Sequence, residues 1–132
     1  MYLANYFGGS VHAALRRYID CSKNRCALII LEGLDIIECT CNVRNFLTSS
    51  SFAKELGHVN FPKVVDKSWP FVQDYIVGRR FKKDGRLLYR AEDGDLDLSY
   101  QFFDNTYNAF VFLYPVGEAN KTKVTIALRG VE

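Results

Sequence analysis

Apolar and polar positions change their period several times along this chain. Val11, Ala14, Leu15, Tyr18 and Ile19 recur at the spacing of one helix face, with Arg16, Arg17 and Asp20 on the opposite side. Ser10 suits the N-cap, where a hydroxyl accepts a bond from a free backbone N–H, and Asn24 suits the stop. Before this helix, Tyr2 to Phe7 is short and apolar and reads as a first strand. After it, Cys26 to Leu31 is an unbroken apolar run, the pattern of a strand buried on both faces. Glu32-Gly33 reads as a turn and Asp35 to Cys41 as the second strand of a hairpin.

The middle is less regular. Asn42 to Gly57 reads as helix or loop, interrupted at Ser49-Ser50-Ser51. Pro62 and Pro70 punctuate the next stretch, and Phe71 to Val77 fits a strand or a short helix. Arg86 to Ala91 is strand-like. Leu96, Leu98, Tyr100 and Phe102 then alternate with Asp95, Asp97, Ser99 and Gln101, the period of a half-buried strand. Asp104-Asn105 marks a turn, Tyr107 to Tyr114 another strand, and Val116 to Asn120 a loop. Val124, Ile126 and Leu128 alternate with Lys123, Thr125 and Arg129 as a last strand. These elements predict a strand-rich α+β domain spanning 1–132. Its form is a small, mostly antiparallel β-barrel or curled sheet with one packed N-terminal helix.

Composition agrees with that picture. With 132 residues, 48% apolar and 14% aromatic, the chain can bury one core without metal or disulfides. Ten Phe and eight Tyr favour strands, because rings pack well on a pleated surface. The net charge of +2 lacks the large basic excess of a dedicated nucleic-acid binder. No basic start followed by an apolar run precedes Gly9, and the Ala27–Leu31 stretch is too short to cross a bilayer, so a cytoplasmic location is expected.

Candidate chemistry is sparse. Cys21, Cys26, Cys39 and Cys41 lack the paired knuckles of a zinc site, and Cys26 and Cys39 fall in apolar runs where a thiol acts as a small hydrophobe. His12 and His58 have no nucleophile motif around them. Asp93, Asp95 and Asp97 sit on alternate positions but without the spacing of a calcium loop, and read as a solvated strand face. Gly8-Gly9 lacks the rest of a phosphate-binding loop. Asn120-Lys121-Thr122 matches a glycosylation sequon that has no meaning without secretion. No catalytic residue, metal or cofactor is therefore expected.

The strongest feature is basic. Arg79, Arg80, Lys82, Lys83, Arg86 and Arg90 place six cations in twelve residues, with Phe81 and Tyr89 among them. Cations neutralise phosphates and rings stack on bases, so the segment suits RNA. The plainer reading is a solvated loop neutralised by the acidic strand after it.

Two segments resemble the globular domain of the coronavirus leader protein, the first nonstructural protein of the viral polyprotein. Phe7-Gly8-Gly9-Ser10-Val11 with Ala14-Leu15, through Lys23-Asn24 and Cys26 to Leu31-Glu32-Gly33, is similar to the family's helix and following strand. Arg16-Arg17-Tyr18 resembles the alphacoronavirus form of that helix. Ala109 to Tyr114, Pro115-Val116-Gly117-Glu118 and Val124 to Gly130 are similar to its last two strands. There Leu128-Arg129-Gly130 stands where the family has a Leu-Arg-Lys-x-Gly type motif, without the Lys. The stretch from Asn42 to Asp104 is longer than the family's and unmatched. Nothing up to Glu132 corresponds to the tail with which betacoronavirus leader proteins plug the ribosome's mRNA channel.

The resemblance implies a six-stranded barrel with a helix across one end. It implies no enzyme activity, and suppression of host gene expression through mRNA or the host small ribosomal subunit in the host cytoplasm. Arg79, Arg80, Lys82, Lys83, Arg86, Arg90 and Arg129 are then the expected contacts. The alternative is an intracellular protein–protein interaction module, an adaptor or immunity-type protein, using the aromatic strands. A small enzyme using a carboxylate or cysteine lacks both a triad and metal spacing.

Overall fold

The computed structural model describes residues 8–56, 61–91 and 94–116, with side chains described over 13–53, 61–90 and 94–116. The predicted first and last strands, at Tyr2–Phe7 and Val124–Arg129, lie outside these residues, as do Arg129, His58 and Asp93 and the side chain of His12.

One curled antiparallel sheet forms a half-barrel. Its six strands run in the order β3-β2-β1-β6-β5-β4, where β1 is Ala27–Asp35, β2 Thr40–Thr48, β3 Val64–Asp66, β4 Phe81–Ala91, β5 Gly94–Asp104 and β6 Ala109–Pro115. Helix α1, Gly8–Cys21, packs on one face; α2, Ser50–Leu56, and α3, Pro70–Ile76, contribute to the other. The strand-rich α+β class and the packed N-terminal helix are as the pattern predicts, and two short helices join them.

The period-two rule explains the layering. On β1, Leu28 and Ile30 point to α1 with Phe110, Phe112 and Tyr114 of β6, meeting Leu15 and Ile19. Ala27, Ile29 and Leu31 point the other way, with Val111 and Leu113, toward Phe52 of α2 and Phe71 and Val72 of α3. Both faces of β1 and β6 are therefore covered, which is why these strands read as unbroken apolar runs. Each fully buried Phe or Ile here stabilises the fold by about 1.5–3 kcal/mol relative to exposure. Arg16, Arg17 and Asp20 are exposed as expected.

Several boundaries differ from the sequence reading, each for a local reason. The first helix starts at Gly8, so Ser10 lies inside it rather than at its cap. Glu32-Gly33 is no turn. Gly33 takes φ +65° at an irregularity of the β1–β2 register, and β1 continues to Asp35. The turn is Ile36–Cys39, closed by Asp35 Oδ1, which accepts from the Ile37 and Glu38 N–H groups at 3.0 Å. Ile37 is 91% exposed, so the apolar Ile36-Ile37 pair decorates a hairpin tip instead of opening a strand. The second strand is Thr40–Thr48, not Asp35–Cys41.

The Ser49-Ser50-Ser51 run starts α2 rather than interrupting it. Ser49 Oγ accepts from Cys26 N–H at 3.1 Å and donates to Asn24 C=O at 2.7 Å. It ties the entry of β1 to the entry of α2. Phe71–Val77 resolves as helix, with Pro70 in the first turn, where its missing N–H costs nothing. Tyr107 lies in the β5–β6 turn and is 78% exposed, so β6 starts at Ala109.

Candidate nucleic-acid interface on the fourth strand

The basic segment is a strand, not the loop of the plainer reading. Gly78, at φ +74°, ends α3 and turns the chain through Arg79-Arg80 into β4. Along β4, Leu87 and Tyr89 point into the core while Arg86, Leu88 and Arg90 point outward. Register with β5 sets Arg86 across from Ser99, Leu88 across from Asp97 and Arg90 across from Asp95. The predicted contact residues are thus divided by strand alternation into different environments.

Arg79 and Lys82 are held by a carboxylate that the sequence reading did not single out. Asp74 of α3 is buried; its Oδ1 accepts from Arg79 Nε at 3.1 Å and Lys82 Nζ at 3.5 Å. Its Oδ2 accepts from the Tyr100 hydroxyl at 2.5 Å. Lys82 Nζ also lies 5.7 Å from the centre of the Tyr100 ring. Burial, then the hydrogen bond and charge of Asp74, push the Tyr100 phenol far above its ordinary range, while Arg79 pulls it back. Tyr100 therefore stays protonated and donates. A buried carboxylate needs such partners, since an unpaired one is strongly destabilising. Asp74 was legible in one respect: it lies three residues after Phe71, on the stripe the helix buries.

Gly85 makes this arrangement fit. A Cβ there would fall 2.1 Å from the Tyr100 ring, so the ring crosses β4 only because position 85 is glycine. The strand bulges between Lys82 and Gly85 to bring the two together.

The remaining cations are free of carboxylate partners among the described residues. Arg80 is exposed and donates through Nε to Asp104 C=O at 3.0 Å. Lys83, Arg86 and Arg90 are exposed. Asp95 and Asp97 are exposed on the neighbouring strand, beside Arg90 and Leu88.

No protein-family model, curated protein or solved structure matches the chain. The site has to be read from its own chemistry.

Among the described residues no group of three or more His, Cys, Asp or Glu could hold a metal ion. Cys26 and Cys41 are buried, and burial pushes the Cys41 thiol up to about 11. Burial likewise raises Cys26, against opposing bonds from Ser22 and Ser49. Both act as small hydrophobes, whereas Cys39 does not. It occupies the β1–β2 turn at φ +57° and its thiol donates to Ile36 C=O. Cys21 is exposed on α1. No helix among the described residues is long and apolar enough to cross a membrane.

A groove lies along the open edge of β4, of about 590 Å³, walled by Pro62, Ser68, Trp69 and Pro70 opposite Leu87, Leu88, Tyr89 and Arg90. The corner that carries Trp69 is fixed by Asp66, whose Oδ1 accepts from Ser68 N–H at 2.9 Å and Ser68 Oγ at 2.5 Å. Those two bonds lower the Asp66 carboxyl below its ordinary value. The sequence shows Pro62, Trp69 and Pro70 but not that they face β4.

Proposed function

We propose that the protein is a non-enzymatic, leader-type suppressor of host gene expression that acts in the host cytoplasm on mRNA or the small ribosomal subunit. One observation carries the reading: Arg80, Lys83, Arg86 and Arg90 are exposed along one strand and its entry turn, without a carboxylate partner among the described residues. Such a row offers charges to successive phosphates. Asp95 lowers the potential around Arg90, so the contact centres on Arg80, Lys83 and Arg86. Arg79 and Lys82 serve it indirectly, by holding the entry to β4 in place. The resemblance of α1–β1 and of β6 to the coronavirus leader domain supplies the process in which this binding acts.

The test is cell-free translation of a reporter mRNA with purified protein. The wild type inhibits, and Arg80→Glu/Lys83→Glu/Arg86→Glu does so at least about tenfold less while keeping its circular dichroism and melting temperature. For single-stranded RNA, losing three phosphate contacts flattens the salt dependence of binding by about 2 log units per log unit of salt. A wild-type protein that leaves translation untouched ends the proposal.

A further inference from the structure

The open edge of β4 is a second surface, which shares Arg86 and Arg90 with the row of phosphate-facing charges. Among the described residues β4 ends the sheet, and half of its backbone groups have no strand of those residues beside them. One bond identifies that half: the N–H of Val116, just past β6, donates to Asp97 C=O. In a strand, the N–H and C=O of one residue point to the same side, so Asp97 spends its backbone on β6. Its cross-strand neighbour Leu88 is then a non-hydrogen-bonded partner, and Leu88 turns its own N–H and C=O to the open edge. By period two, Arg86 and Arg90 do the same. These backbone groups border the groove walled by Pro62, Ser68, Trp69 and Pro70.

We infer that this edge binds an extended segment of a partner protein as an added strand, the segment carrying acidic residues either side of an apolar one. The added strand pairs with the backbone of Arg86, Leu88 and Arg90. On the outer face it meets a cation–apolar–cation row, Arg86, Leu88, Arg90, with Leu88 53% exposed. An acid–apolar–acid row complements it. Its alternate side chains turn into the groove against Trp69, Leu87 and Tyr89, an apolar lining of a size typical for ligand sites.

Charge disfavours a second copy as the occupant. A second copy pairing its β4 antiparallel about Leu88 sets each Arg86 against the copy's Arg90, and like charges directly opposite destabilise.

The experiment is fluorescence anisotropy on the full chain. The probe is a labelled nine-residue peptide with a glutamate on each side of a valine–leucine–valine core. Saturable binding is expected, weakened about tenfold by Arg86→Glu/Arg90→Glu and restored when the peptide glutamates become lysines. N-methylation at alternate peptide residues separates strand pairing from simple charge attraction. Methyl groups on the amides that face β4 abolish binding, and those one residue along leave it intact. A scrambled peptide binding equally well, or equal loss from both methylation patterns, overturns the inference. So does no saturation at about 1 mM peptide. A wild-type protein that sediments as a dimer competing with the peptide overturns it in favour of self-association. The phosphate-contact reading falls on the translation assay alone, so the two ideas fail independently.

Discussion

Removing one oxygen from Tyr100 isolates the bond that pins α3 to the sheet. In Tyr100→Phe the ring keeps its place against Phe71, 6.1 Å between centres, and under Lys82. Only the donor to Asp74 Oδ2 goes. Arg79 and Lys82 both bond Oδ1, so Oδ2 stays buried and loses the donor it has among the described residues. A hydrogen bond to a charged group contributes about 1.5–3 kcal/mol, a large share of the ~5–15 kcal/mol that holds a domain together. For a chain of this size about 1 kcal/mol lowers Tm by roughly 4 °C, so the variant is expected to melt about 6–12 °C lower. Urea titration followed by the fluorescence of the single Trp, Trp69, gives the free energy directly. Tyr107→Phe, at an exposed turn, is the control and is expected within about 0.5 kcal/mol of wild type. If Tyr100→Phe matches that control, the bond is not formed in solution and the account of Arg79 and Lys82 as positioning groups falls with it. A double-mutant cycle with Asp74→Ala then gives a coupling energy near zero instead of 1–3 kcal/mol, roughly.

Gly85→Ala is expected to destabilise by about 2–4 kcal/mol, because the added methyl meets the Tyr100 ring at 2.1 Å and neither strand nor ring has room; combining it with Tyr100→Ala recovers part of the loss in a thermal melt. Ser49→Ala removes the partner of both Cys26 N–H and Asn24 C=O, costing about 1–3 kcal/mol by urea titration, whereas Ser51→Ala, at an exposed position, costs under about 0.5 kcal/mol. Cys41 ionises near 9.0 when unfolded and about 11 when folded, so the folded state keeps its proton longer. The associated stability is complete below about pH 9 and lost as pH rises through about 11, and Cys41→Ala flattens that part of a stability–pH curve. Ile37→Lys, at the exposed β1–β2 tip, is expected to leave Tm within about 2 °C.

Where side-chain period was clean, the chain alone determined the structure. The Val11–Ile19 stripe specified α1, the unbroken Cys26–Leu31 run specified a strand covered on both faces, and the Leu96–Phe102 alternation specified β5 and its core-facing side chains, although Ser99 and Gln101, on the face expected to meet solvent, are buried. Each is a local pattern whose buried face has one solution. The hairpin tip was misread because Ile36 and Ile37 carry strand propensity, and only the Asx turn at Asp35 with the left-handed backbone of Cys39 overrides it. The serine run was misread because a hydroxyl's role depends on what lies within reach, here Cys26 and Asn24, more than twenty residues away in sequence.

The site shows the same division. That residues 79–90 are rich in cations is written in the chain. Tertiary structure alone decided that Asp74 would hold Arg79 and Lys82, that Arg80, Lys83, Arg86 and Arg90 would remain exposed, and that Trp69 would face a strand edge. Charge is a property of a residue and can be counted along a sequence. Whether that charge is engaged or available depends on which distant carboxylate, ring or backbone group the fold brings within about 3.5 Å of it.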